Sequence, residues 1–164
     1  MIIGILSDTH GRVGAVRCAL EALRQRRIEH IFICGDIGGT AVLDCLAGIP
    51  VTFVVGNCDV ERDALHQHAQ RLGMTCLGDG GVVEIDGARI GIAHGHDQSM
   101  VQWLVDHERP DYLLLGHTHC SMDCRQGAVR MINPGCVKRS AAVLDTRTGS
   151  LEFVRFARHD GKIT

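Results

Sequence analysis

Five short motifs carry the residue types that hold divalent cations: Asp8-Thr9-His10, Gly35-Asp36, Gly56-Asn57, His94-Gly95-His96 and Gly116-His117-Thr118-His119. Carboxylate oxygens and neutral imidazoles suit a hard or borderline metal, and an aspartate can serve two metals because each of its oxygens can bind one. Asp8, His10, Asp36, Asn57, His94, His117 and His119 together supply a ligand set for a dinuclear centre. Each residue alone has a plainer explanation. Asp8 could cap a helix, Asp36-Ile37-Gly38 could form a turn, Asn57 could start a helix, and an isolated histidine is more often a surface or core residue than a ligand. The joint pattern favours the metal, because five separate apolar runs each end in a ligand-type residue, usually beside a glycine that lets the backbone turn tightly.

Those runs, MIIGIL, HIFIC, VTFVV, RIGIA and DYLLL, read as buried strands. Strand ends in α/β sheets converge on one crevice, so ligands far apart in sequence can meet there. Val13, Val16, Leu20 and Leu23 recur at helical spacing and predict a helix over 13–25. A short helix over 40–46 follows the strand at 31–34, and a polar helix over 59–72 follows the strand at 51–55. This alternation implies a parallel sheet. Strands at 82–85 and 89–93 flank Asp86-Gly87, a strong hairpin signal. A helix over 98–107 and a strand over 112–115 then lead to the Gly116–His119 loop. The remainder is β-rich, with strands at 128–132, 141–145 and 151–156, the last two joined across Thr148-Gly149. An α/β half followed by a β-rich half predicts an α/β fold of two packed, mixed β-sheets flanked by helices, rather than one doubly wound sheet. No linker, repeat or low-complexity run interrupts it, so residues 1–164 are expected to form a single domain.

Composition excludes several function classes. A formal net charge of -2 gives no global attraction to nucleic acid or an anionic membrane, so any phosphate binding must be local. One Trp and one Tyr offer little surface on which bases could stack. The eight cysteines contain no CxxC pair and read as small buried residues in a reducing compartment. Cys120 and Cys124 are spaced like half of a zinc site, but a matching Cys pair is missing. No apolar run approaches a membrane span, and the apolar start at 2–6 is too short for a signal segment, so a cytoplasmic protein is expected. His30, His66, His68, His107 and His159 lie outside the motifs and take the plain reading. Arg12, Lys138 and Arg139 could touch a phosphate, with surface solvation as an equal explanation.

The motifs resemble those of the calcineurin-like metallophosphoesterase superfamily, D-x-H, G-D, G-N-H-[DE], H-G-x and G-H-x-H, which here read SDTHG, CGDIGG, VGNCD, AHGH and LGHTH. The likeness is to its small bacterial and archaeal phosphodiesterases, spans nearly the whole chain, and extends to Asn133-Pro134-Gly135-Cys136. The resemblance implies a first metal held by Asp8, His10, Asp36 and His119 and a second by Asp36, Asn57, His94 and His117, with Asp36 as the bridge. It implies a phosphodiesterase using a metal-bridged hydroxide, with weak monoesterase activity, a small-molecule phosphodiester as substrate, and possible self-association. Asp36, Asn57 and His94 are the expected catalytic residues, and Cys58 and His96 the expected substrate-facing ones. The resemblance favours two Mn²⁺ ions, although the N/O donor set also accepts Fe, Ni, Co or Zn. Cys58 departs from the pattern, since many relatives have histidine there; a thiol cannot present a cationic donor to a phosphate or protonate a leaving group well. The alternative is a non-catalytic interaction scaffold of the retromer-subunit type, which shares the fold. A nuclease of the superfamily would need accessory segments for which this chain has no room.

Overall fold

The computed structural model describes residues 1–156. The first half alternates β1 (Ile2–Leu6), α1 (Val13–Arg24), β2 (His30–Cys34), α2 (Thr40–Asp44), β3 (Val51–Val54) and α3 (Arg62–Arg71). It continues through β4 (Thr75–Cys76), β5 (Gly80–Ile85), β6 (Ala88–Ala93) and α4 (Gln98–Trp103), which runs on as a π-helical stretch over Leu104–Glu108. The chain closes with β7 (Tyr112–Leu114), β8 (Ser121–Gln126), β9 (Val129–Pro134), β10 (Ser140–Asp145) and β11 (Ser150–Arg155).

These strands form two mixed sheets, as predicted: a six-stranded sheet ordered β11-β10-β1-β2-β3-β4 and a five-stranded sheet ordered β5-β6-β7-β9-β8. β1 to β4 run parallel, with β10 antiparallel to β1; β6, β7 and β9 run parallel in the second sheet. The central strands are mostly apolar, as in β1 (IIGIL) and Ile31–Cys34 of β2, because both of their faces are covered. Ile3, Ile5, Phe32 and Cys34 point between the sheets and meet Ile90, Ile92, Leu114 and Ile132. Alternate residues Leu6, Ile31, Ile33 and Phe53 point the other way, against Val16, Leu23, Leu43 and Leu65 of α1 to α3. On the far side, Leu113 and Met131 pack against Val101, Leu104 and Val105 of α4 and its extension. Each such large side chain contributes roughly 1.5–3 kcal/mol through burial.

Three differences from the expected elements have identifiable causes. α3 begins at Arg62 rather than at 59 because Asp59 is held in the loop by backbone donors, as described below. β8 reads SMDCRQ, without apolar alternation, because it is an exposed edge strand whose neighbours lie on one side only. Its fixed point is a paired contact of Asp123 with the Arg130 guanidinium, 2.8 Å at each oxygen. β4 is only two residues long and leaves no periodic signal. The Asp86-Gly87 turn has positive φ at both positions, 52° and 76°, the conformation that Asp-Gly favours between β5 and β6. Among the described residues, no helix is long and apolar enough to cross a membrane.

Candidate metal centre

The ends of β1, β2 and β3 lie side by side in one sheet, and the ends of β6 and β7 face them from the other. The loops that follow are tied to one another through backbone: Asp8 N–H donates to Gly35 O (3.1 Å), His10 N–H to Asp36 O (2.8 Å) and Gly116 N–H to His94 O (2.9 Å). Glycine is required where the two sheets close on each other. A Cβ on Gly35 would strike the His94 ring, and one on Gly116 would strike Ser7 Oγ and the Cys34 carbonyl.

The turns themselves are unusual. Asp8, His10, Asp36, His117 and His119 all have left-handed backbone, with φ between 46° and 66°. Such a conformation costs an L-residue on the order of 1–2 kcal/mol, so it persists only where the surroundings impose it. Here it turns Asp8, His10, Asp36 and His119 toward one cluster and sets His117 beside His94.

In that cluster the polar atoms are arranged for cations rather than for one another. Asp8 is fully buried; its Oδ2 accepts from Ser7 Oγ (2.6 Å) and from His117 N–H (3.2 Å). Its Oδ1 makes no hydrogen bond, although His119 Nε2 lies 3.1 Å away. His94 donates Nδ1–H to the Cys34 carbonyl (2.7 Å), which can only accept, so the Nε2 lone pair is turned inward. There it stands 3.1 Å from Asn57 Oδ1 and 3.4 Å from Asp36 Oδ1. Lone pairs held at such separations repel unless a proton or cation lies between them. The donor set and its orphaned oxygen therefore fit divalent metal.

Asp36 faces two ways. Its Oδ1 is directed to His94, while its Oδ2 lies 3.7 Å from His10 Nε2. Burial pushes the Asp36 carboxyl up, but the Cys58 N–H (2.9 Å), the neighbouring His94, the Cys58 thiol and His10 outweigh it and hold it below the ordinary range. The hydrogen bond to Asp36, then desolvation and the nearby carboxylates, raise the Cys58 thiol above its ordinary value.

Three groups of metal-ligating atoms converge: Asp8 with His10 and His119; Asp8 with Asp36 and His94; and His10 with Asp36 and Cys58. Asn57 joins through His94. Cys58, expected on the substrate side, thus also lies within reach of the cluster, and it lines a mainly apolar groove of about 420 Å³ with Val60 and Ala64. His117 is placed differently from the other histidines. Its ring adjoins those of His94 and His96, with centroids 5.2 and 6.2 Å away, and does not join a carboxylate group. His96 lines a small pocket beside His94. Cys120 and Cys124 are exposed, and no third ligand joins them among the described residues. His30, His68 and His107 bond to Thr52, Asp44 and the Trp103 carbonyl, in keeping with their plain reading; His66 is 3.0 Å from Gln70, and His159 lies outside the described residues.

Sequence reasoning missed the residues that hold the loops. Asp59, read as part of a helix, is a buried carboxylate accepting from Gly56 N–H (2.8 Å), Gly38 N–H (2.8 Å) and Ile37 N–H (3.1 Å). Asn133 donates to the Gly116 carbonyl (2.6 Å) and accepts from Gly135 N–H, pinning the last histidine loop. Both stand in quoted motifs, Asp59 as the last residue of VGNCD and Asn133 as the first of Asn133-Pro134-Gly135-Cys136, but neither motif shows which backbone groups the side chain holds.

A family model for the calcineurin-like phosphoesterase superfamily domain matches residues 1–152. A phosphodiesterase of Methanocaldococcus jannaschii is 31% identical over 138 residues, 82% of this chain and 83% of that protein. Among solved structures, one described as a novel archaeal phosphodiesterase matches with a TM-score of 0.87 and 28% identity, covering 95% of this chain and all of that one. Zinc-complexed Vps29 of Entamoeba histolytica shares the fold at a TM-score of 0.67 and 19% identity, over 95% of this chain and 98% of that one.

Proposed function

This chain belongs to the calcineurin-like phosphoesterase superfamily, and we propose that within it the protein is a dinuclear, metal-dependent phosphodiesterase. The observation that carries this reading is Asp36, whose two oxygens are directed to different histidines beside the orphaned Asp8 Oδ1. Asp8, His10, His119 and Asp36 Oδ2 would hold one cation. Asp36 Oδ1, Asn57 and His94 would hold the other, with His117 next to His94. Bound there, two divalent ions supply Lewis acidity that acidifies water and offsets charge on phosphoryl oxygens.

The chain's own groups do the rest. A carboxylate shared in this way, Asp36, would relieve repulsion between two cations. The Cys34 carbonyl keeps His94 in the tautomer whose Nε2 can bind, and Asn57 offers a neutral oxygen while its Nδ2–H₂ faces Cys58 Sγ (3.4 Å). Ser7 and the His117 N–H fix Asp8. Cys58 places a neutral thiol where an imidazolium would assist a leaving group, so we assign the protein to diesters with good leaving groups and to weak monoester hydrolysis. The nitrogen and oxygen donors accept Mn²⁺ as they accept Fe, Ni, Co or Zn, and on the family resemblance we propose Mn²⁺ as the native metal.

The test is hydrolysis of bis-p-nitrophenyl phosphate and p-nitrophenyl phosphate by chelator-stripped protein with Mn²⁺, Ni²⁺, Co²⁺, Zn²⁺ or Mg²⁺ restored. Turnover returning with metal, faster on the diester, is the expected result. Excess Mn²⁺, at about 100 times its Kd, should also stabilise the fold by about 2.7 kcal/mol, a rise of roughly 5–10 °C in Tm. Metal binding without hydrolysis of either ester under any ion would instead support a non-catalytic scaffold.

Cys58→His tests the leaving-group argument. General acid help is typically worth 10²- to 10⁴-fold, and a newly introduced histidine should recover at least about tenfold of it on alkyl and monoester substrates, with little gain on p-nitrophenyl diesters. An unchanged order of preference would show that Cys58 has no part in discriminating esters.

A further inference from the structure

Beside the metal cluster lies a second pocket, of about 180 Å³, that the reaction as proposed leaves unused; it is lined by Arg12, His119, Cys136, Lys138 and Arg139. We infer that this pocket binds a second anionic group of the substrate, so that the protein acts on phosphodiesters carrying a carboxylate or a further phosphate on one ester arm. The inference rests on the metal-dependent reading above, which places the scissile phosphate at the cluster.

Four observations converge. First, three cations line the pocket and no carboxylate does, and among the described residues Arg12, Lys138 and Arg139 make no ion pair that would neutralise them, unlike Arg26, Arg62, Arg89 and Arg130. In a chain of net charge -2, such a concentration of unpaired positive charge creates a local field for an anion. Second, Arg12 is also the N-cap of α1, a twelve-residue helix with no side-chain cap and no acid in its first turn, so the helix's positive end adds to the same rim. Third, the pocket is fixed relative to the metal ligands. Cys136 Sγ–H donates to the Asp8 carbonyl (3.3 Å), and Val137 N–H donates to the Ser7 carbonyl (3.0 Å). Fourth, His119 belongs both to this pocket and to the group it forms with Asp8 and His10, so a phosphate at the cluster has its neighbouring substituent within reach. The opposite end of the cluster, at Cys58, opens instead on the apolar groove, so the two arms of a bound diester meet different chemistry.

The experiment uses stable phosphonates, which need no turnover. Manganese-loaded protein is titrated calorimetrically with propylphosphonate, 3-phosphonopropionate and propane-1,3-bisphosphonate, and the same is done with the Arg12→Gln/Lys138→Gln/Arg139→Gln variant. Wild type should bind at least one of the two doubly anionic probes about tenfold more tightly than propylphosphonate, as expected for two or three partly exposed ion pairs. The tighter of the two identifies the second group as carboxylate or phosphate. The preference should shrink as salt rises and vanish in the variant, with propylphosphonate affinity unchanged. Equal binding of all three by wild type, a preference that survives in the variant, or no phosphonate binding at all would overturn the inference. Discrimination between probes by a protein that hydrolyses no diester would remove the proposed activity and leave the anion pocket standing.

Discussion

Asp36→Asn is expected to lower metal-dependent diester hydrolysis by on the order of 10³-fold or more while leaving the fold in place. The side chain is almost wholly buried, and each of its oxygens has a different task. Asparagine keeps the volume and an oxygen to accept the Cys58 N–H, but it loses the charge and turns one oxygen into a donor that no cation can share. Both metals should therefore be affected by the one substitution, unlike a change at a ligand on one side only. The apoprotein should change little. Because the folded-state pKa of Asp36 is lowered, its charge contributes stability that is present above the unfolded pKa, near 3.8, and is lost as pH falls through the folded value. At pH 7 the variant forfeits that contribution and no more, so the apo Tm should move by only a few degrees, while the metal-induced rise disappears. Metal content by elemental analysis, Tm with and without Mn²⁺, and kcat/KM on the diester check the three parts. A variant that retained two metals and near-native turnover would remove Asp36 from the bridging position.

The contrast between ligands and their supports explains what the sequence made legible. The candidate ligands are Asp, Asn and His, residue types able to bind a cation, and here they follow apolar runs, so residue type and position both point to them. The two-sheet architecture was legible for a related reason. Strands covered on both faces, such as Ile31–Cys34 within β2, are unbroken apolar runs, and the Asp86-Gly87 turn requires a conformation that few other pairs accept. The left-handed backbone at Asp8, His10, Asp36, His117 and His119 left no mark, because Asp and His tolerate that region better than most residues yet adopt it only where tertiary contacts impose it, so residue type does not reveal it. β8 was also silent. An edge strand packed on one side needs no hydrophobic alternation, and its pairing to β9 is carried by backbone and by the Asp123–Arg130 contact. The placement of His117 beside His94 and His96, rather than on a carboxylate, depends on how the second sheet is set against the first, which no local pattern encodes.

Asp59 shows the same blindness with the largest consequence for stability. Read as the first residue of a polar helix over 59–72, it instead has a carboxylate that gathers three backbone N–H groups from two different loops. Two of those donors, Ile37 and Gly38, directly follow Asp36, and the third, Gly56, directly precedes Asn57. One buried side chain thus locks the loops after β2 and β3 in register. Hydrogen bonds to a charged group are each worth about 1.5–3 kcal/mol, and truncation would leave three donors without a partner in a site only partly open to water. Asp59→Ala should therefore cost about 3–5 kcal/mol, a fall of roughly 10–15 °C in apo Tm, and should weaken metal binding as the loops lose their mutual position. Asp59→Asn, which keeps one accepting oxygen, should lose about half as much. Urea unfolding monitored with both variants would check the order, and hydrogen exchange at Gly38 and Gly56 would show whether those amides lose protection first. If Asp59→Ala unfolded within about 1 kcal/mol of wild type, water would have to satisfy these donors as well as the carboxylate does, and the loops would owe their positions to the sheet alone.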